Sequence, residues 1–183
     1  MKVLTFGEML MRLKTPGNQR LLQADSFEAS YGGAEANVAV SLALLGDQVA
    51  YLTKLPENLL GQKGMQTLRG YGVDTTKIQY GDGRLGLYFF EKGASVRSTN
   101  VVYDRAHSSF ATMTASEFDW ATIFEDIDYF YFSGITPAIS AELAQAAETA
   151  CQYCQAHDIP VVCDLNYAGS YGHQNRRKQR LNA

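Results

Sequence analysis

The chain has 183 residues, of which 46% are hydrophobic and 19% charged, with 16 Lys and Arg against 19 Asp and Glu and a net charge of −3. This composition excludes disorder along the whole chain and allows one large domain or two small ones. An acidic chain without a basic face is a poor match for nucleic acid phosphates, and no apolar run approaches the roughly 18 residues of a membrane span. Three cysteines, an odd number, do not suit a disulfide framework, and Glu8 interrupts the first apolar stretch, unlike a signal peptide. The expected setting is cytoplasmic.

Lys2–Phe6 is a short apolar run that stops at Gly7, the usual opening of an α/β sheet. Pro16, Gly17 and Asn18 lie between two short apolar pieces and predict a hairpin over 12–22. Gly32 and Gly33 precede a small-residue helix expected over 34–45 and ended by Gly46. A strand over 48–55 and a helix over 59–69 come next. Two strands, 87–91 and 98–103, read as a second hairpin joined through Lys92, Gly93 and Ala94. Thr114 and Glu117 form a capping-box pattern ahead of 118–124. A buried strand over 129–132, a helix over 140–157 with Leu143, Ala147, Ala150 and Cys154 on one face, and a buried strand over 161–164 complete the pattern.

Strands alternating with helices predict an α/β fold with a parallel sheet covered on both faces. The hairpins at 12–22 and about 84–105 break the alternation and belong in a small separate sheet, a natural lid over a ligand crevice. From residue 168 the chain turns polar, with Arg176, Arg177, Lys178 and Arg180, and reads as a solvated, disordered tail; an RNA-binding tail is the sharper alternative.

The most specific feature is Gly32-Gly33-Ala34-Glu35-Ala36-Asn37-Val38-Ala39. Paired glycines let backbone approach a ligand and expose N–H groups at a helix start, and an amide one turn later serves sugar hydroxyls as donor and acceptor. The same residues also suit a tight strand-to-helix turn with a packed Asn. This segment resembles the first signature of the ribokinase-type sugar kinases, the phosphofructokinase-B family. The run from Leu68 to Thr75 resembles that family's L-x-x-x-G-V-D-T segment. Gly86-Leu87-Tyr88, Val102-Tyr103-Asp104-Arg105, the run from Ser133 to Ala138 and Asp164-Leu165-Asn166-Tyr167 resemble its 2-keto-3-deoxygluconate kinase branch. The resemblance covers about residues 1–167.

It implies a Rossmann-like three-layer core with a β lid, and phosphoryl transfer from ATP, with Mg²⁺, to a sugar acid. Gly33, Asn37, Tyr88, Tyr103 and Arg105 are then the substrate-binding residues, with Arg105 near the substrate carboxylate; a guanidinium fork suits a carboxylate. For Tyr88 and Tyr103 the alternative is cross-strand packing. Asp164 and Asn166 fall on the phosphate side, and for Asp164 orienting its loop or holding a Mg²⁺-bound water is preferred over a role as replacement base. A homodimer through the lid is expected, as related kinases often pair this way.

Three departures stand against the resemblance. Pro56 occupies a position where the family has Gly, Ala168 one where the branch has Arg, and Gly-Ala-Gly-Asp, which supplies anion hole and general base, occurs nowhere in the sequence. The expectation is the N-terminal part of a sugar-acid kinase, truncated or frameshifted near residue 168, with its C-terminal part missing. It has no catalytic base of its own, no metal ligands, and neither ATP nor Mg²⁺ bound by the chain alone. The alternative is a non-catalytic sugar-binding or interaction module; a small oxidoreductase is weak, since no G-x-G-x-x-G follows the first strand. Cys151, Cys154, His157 and Cys163 match no strong zinc spacing. A C-x-x-C near a helix C-terminus lacks the dipole that activates redox thiols, so buried apolar thiols are expected.

Overall fold

The computed structural model of the chain describes residues 1–166; Tyr167 and the basic tail lie outside the described residues. In chain order the elements are β1 (Lys2–Phe6), β2 (Leu10–Lys14), β3 (Glu28–Gly32), α1 (Ala34–Leu44), β4 (Gln48–Leu52), β5 (Lys54–Pro56), α2 (Leu59–Gly70), β6 (Gln79–Gly81), β7 (Gly86–Glu91), β8 (Asn100–Asp104), α3 (Trp120–Ile123), β9 (Tyr129–Ser133), α4 (Ile135–Ile139), α5 (Ala141–Ala156) and β10 (Val161–Asp164).

The core sheet runs β10-β9-β1-β4, with every pairing parallel. Its inner strands β9, β1 and β4 are largely apolar without alternation because both faces are covered there. Leu4, Phe6, Phe130 and Phe132 pack towards Leu143, Ala146 and Ala150 of α5. Val3, Val49 and Tyr51 pack towards Ala36 and Ala39 of α1. The Ser140 hydroxyl caps α5 by accepting the Leu143 N–H at 3.2 Å. Asn58 caps α2 through the Leu60 and Gly61 N–H groups.

The lid is a second sheet, β3-β2-β7-β8, in which β2 and β7 are parallel and the outer pairs antiparallel. The hairpin expected over 12–22 is corrected. Its turn forms, with Gln19 N–H donating to Pro16 C=O at 3.1 Å, but β2 pairs with residues 28–32. The stretch after that turn is polar and ends in an exposed 3-10 turn at Leu21–Gln23, with no alternating apolar face to hold a strand. The second hairpin forms, but its strands are joined through 92–99, with a turn closed between Ala94 and Arg97. The capping box also forms, Glu117 accepting the Thr114 N–H at 2.7 Å; it closes a 3-10 turn, and α3 starts later, capped by Asp119.

β10 is the other correction. It is parallel to β9 as the pattern requires, yet Val162 is 50% exposed and Leu165 82%. It is the edge of the sheet, and among the described residues none pairs with its outer side.

Candidate functional site

A cleft of about 330 Å³ opens between the lid and the C-terminal ends of the core strands. Glu8 follows β1, Ile135 follows β9 and Asn166 follows β10, so loops leaving the same edge of a parallel sheet build its floor. Tyr88 of β7 and Tyr103 of β8 form its roof. All five residues singled out as substrate-binding, Gly33, Asn37, Tyr88, Tyr103 and Arg105, line this one cleft, and Asn166 joins them. Asp164 does not line it. Its carboxylate accepts the Asn166 N–H at 2.9 Å and its carbonyl accepts the Gly134 N–H at 2.8 Å, so it shapes the loop that carries Asn166.

Gly33 is required by close approach. A Cβ there would lie 2.2 Å from the Glu8 carbonyl oxygen, a backbone atom that cannot swing aside. Its carbonyl accepts the Asn37 N–H at 2.9 Å, the first turn of α1. The Asn37 side chain is exposed at the cleft and has no hydrogen bond among the described residues. Tyr88 and Tyr103 are directly opposed across β7 and β8, with ring centroids 5.6 Å apart, so their packing and their place in the cleft are the same fact. The Arg105 guanidinium lies over the Tyr103 ring at 5.8 Å.

Beneath the cleft are two buried carboxylates that the sequence did not single out as site residues. Glu8 is 3% exposed; its Oε2 accepts from Arg105 Nε at 2.7 Å and also contacts Arg105 Nη2, while Oε1 accepts the Ser108 hydroxyl at 2.5 Å. Burial pushes the Glu8 carboxyl up from its ordinary value, the Arg105 charge and the Ser108 and Arg105 hydrogen bonds pull it back, and the Glu35 charge adds to the rise. Glu35 is 2% exposed, and its Oε1 accepts the Ser133 N–H at 3.1 Å and the hydroxyls of Ser133 and Thr136 at 2.6 and 3.1 Å. It sits in the first turn of α1, where the helix dipole favours an anion. Burial, then the Glu35 and Glu8 charges, hold the Tyr51 phenol well above its usual range, and its hydroxyl donates to the Gly7 carbonyl at 2.9 Å. The signal for Glu8 was present, a lone carboxylate inside an apolar run, which demands a buried partner.

Residues 1–178 match the pfkB family carbohydrate kinases. The chain belongs to that family. It is 39% identical over 166 residues to the 2-dehydro-3-deoxygalactonokinase of Haloferax volcanii, covering 91% of this chain and 52% of that protein. It is 30% identical over 141 residues to the 2-dehydro-3-deoxygluconokinase of Bacillus subtilis, covering 76% of this chain and 43% of that one. Among solved structures, the 2-dehydro-3-deoxygluconokinase of Thermotoga maritima superposes with a TM-score of 0.90 at 46% identity, covering 93% of this chain and 52% of that one. The chain therefore spans about half the length of these relatives. The cleft is built by the sheet edge, the lid and the start of α1 together.

The cysteines stay outside the cleft. Burial, reinforced by Cys151, pushes the Cys154 thiol up to about 12, opposite to what redox or metal-binding thiols need.

Proposed function

We propose that this chain forms the sugar-acid half of a PfkB kinase site, taking a 2-keto-3-deoxy sugar acid of the gluconate or galactonate type, and that the chain alone does not transfer phosphate. The observation that carries this reading is the convergence of Gly33, Asn37, Tyr88, Tyr103 and Arg105 on one cleft. The Asn37 amide and the two phenols suit sugar hydroxyls, and the Gly33 backbone lets a ligand approach the start of α1. The kinases similar to this chain act on 2-dehydro-3-deoxy sugar acids by name, which supports the substrate class.

ATP and Mg²⁺ belong to the activity of such a kinase, but the described residues do not fit a Mg²⁺-phosphate site. Among them no three His, Cys, Asp or Glu side chains stand together, Glu8 is buried with both oxygens engaged, and Glu35 is buried with Oε1 held by three donors. The sequence also holds no Gly-Ala-Gly-Asp run to stabilise charge on a transferring phosphoryl group.

Two measurements test this reading. A coupled ADP-release assay with 2-keto-3-deoxygluconate should give no turnover above background, while calorimetry should give weak binding of the sugar acid. Arg105→Ala should weaken that binding by roughly 1.5–3 kcal/mol, the range of a charge-assisted contact. Because the same change leaves Glu8 buried without its cation, Arg105→Lys is measured beside it and should retain part of the affinity. No heat from a folded sample at millimolar sugar acid, or turnover that tracks the purified chain, would overturn the reading.

The lid's outer face supports a homodimer. Phe27, packed edge-on to Phe89 with centroids 5.6 Å apart, and Val102 are partly exposed there. Light scattering at micromolar concentration should give twice the chain mass, and Val102→Lys should shift it towards monomer. A monomer before any substitution removes this part of the proposal.

A further inference from the structure

We infer that Arg12 is a second carboxylate-recognising residue of the cleft, the cation that makes it prefer a sugar acid to a neutral sugar. The inference rests on the reading of the cleft as a sugar-acid site. Among the described residues four charged side chains border that cleft: Glu8, Glu35, Arg12 and Arg105. Glu8 and Arg105 neutralise each other in a contact that is 2% exposed on the Glu8 side and 13% on the Arg105 side. Glu35 is buried with its charge held by hydroxyl and N–H donors rather than by a cation. Without Arg12, therefore, the summed charge of these described side chains is negative, and an entering carboxylate would be repelled at low local dielectric.

Arg12 cancels this negative charge. It forms no ion pair among the described residues, and the stretch from residue 167 to the end contains no Asp or Glu to neutralise it. It sits on β2 at the middle of the lid, opposite Ser30 of β3 on one side and Tyr88 of β7 on the other. Two contacts fix its guanidinium. Nε donates to the Ser30 hydroxyl at 2.9 Å, and the group lies over the Phe90 ring, 5.7 Å from its centroid; Phe90 also lines the cleft. The two terminal nitrogens make no hydrogen bond among the described residues. A guanidinium pinned through Nε and one ring face keeps those terminal N–H groups for a planar anion. Ser30 thereby acts as a positioning residue for Arg12.

The test compares two probes on the full chain by calorimetry: 2-keto-3-deoxygluconate and 3-deoxyfructose, which carries CH₂OH in place of the carboxylate. The unaltered chain should bind the acid more tightly. Arg12→Gln should weaken acid binding roughly 10- to 100-fold while leaving 3-deoxyfructose within about twofold, and Arg12→Lys should restore part of the loss. Ser30→Ala, which keeps every charge, should give a smaller loss confined to the acid and serves if Arg12→Gln does not fold. If Arg12→Gln and Ser30→Ala preserve the acid preference while Asn37→Ala weakens both sugars, the cleft reading stands and Arg12 has no such role. Equal loss of both sugars in Arg12→Gln also overturns the assignment, because it marks a purely structural part. If the unaltered chain binds neither sugar, the reading of the cleft falls and this inference with it.

Discussion

Glu35→Ala should destabilise the fold by about 3–5 kcal/mol, several times the effect of a typical substitution. The change removes the acceptor for three donors at once: the Ser133 N–H and the hydroxyls of Ser133 and Thr136. Each buried donor left without a partner costs about 1–3 kcal/mol, moderated where a hydroxyl rotates to another acceptor. Thr136 has one within reach, the Phe6 carbonyl at 3.3 Å, so the loss should be less than three full penalties. Glu35→Gln retains an acceptor oxygen and should cost about 1–2 kcal/mol by the same reasoning. Urea unfolding followed by near-ultraviolet circular dichroism reads both. The loss should also reach function, because Glu35 ties the first turn of α1, which carries Gly33 and Asn37, to the end of β9. A loss below about 1 kcal/mol for Glu35→Ala would mean that the network relaxes without it and that the buried anion is not what holds α1 to the sheet.

Gly33→Ala should damage both the fold and the cleft. The added Cβ would stand 2.2 Å from the Glu8 carbonyl oxygen, far inside contact distance; its position is fixed by the backbone, and the oxygen is itself a backbone atom. Either α1 withdraws from the sheet or the loop after β1 moves, and each carries site residues: Asn37 on the helix, Glu8 and through it Arg105 on the loop. Overpacking of this kind costs about 1–3 kcal/mol and occasionally more; a Cβ driven into a backbone carbonyl belongs at the upper end. Sugar-acid binding should fall below detection even in molecules that remain folded. Gly70→Ala is the matched control. Nothing lies within 4 Å of its added Cβ, and as the last residue of α2 it should leave stability unchanged or raise it by up to about 1 kcal/mol. Thermal unfolding of the two variants side by side checks this. Equal midpoints for Gly33→Ala and the unaltered chain would show that the close approach is not maintained in solution.

The parts of the site that were legible in the sequence are those fixed by local chemistry. Paired glycines before an apolar small-residue helix define a strand-to-helix turn by themselves, so Gly33 and Asn37 could be placed before any fold was known. The period of two along a strand puts Tyr103 and Arg105 on one side, whereas the register that opposes Tyr88 to Tyr103 was set by the longer 92–99 connection and not by a turn at 92–94. The unbroken apolar runs at Lys2–Phe6 and 129–132 likewise announced a sheet covered on both faces.

Tertiary structure decided every feature whose partner is remote in sequence. Glu8 meets Arg105 across 97 residues and Glu35 meets Ser133 across 98; nothing in local spacing selects those pairs, because parallel crossovers bring together strand ends that the chain visits far apart. The partner of β2 was misplaced for the same reason: a turn signal says where a chain reverses, but pairing goes to the segment with a matching face, and 28–32 supplied it. β10 reads as a buried strand from its residues, yet its burial is a property of its neighbours, and at a sheet edge the same Val161 and Val162 are left exposed. Composition and periodicity thus determined the layers and the separate lid sheet, and the family resemblance singled out the residues that line the cleft. The charge of its cleft, in which Glu8 cancels Arg105 and Arg12 is left to face a ligand, was decided only when the fold brought those four side chains together.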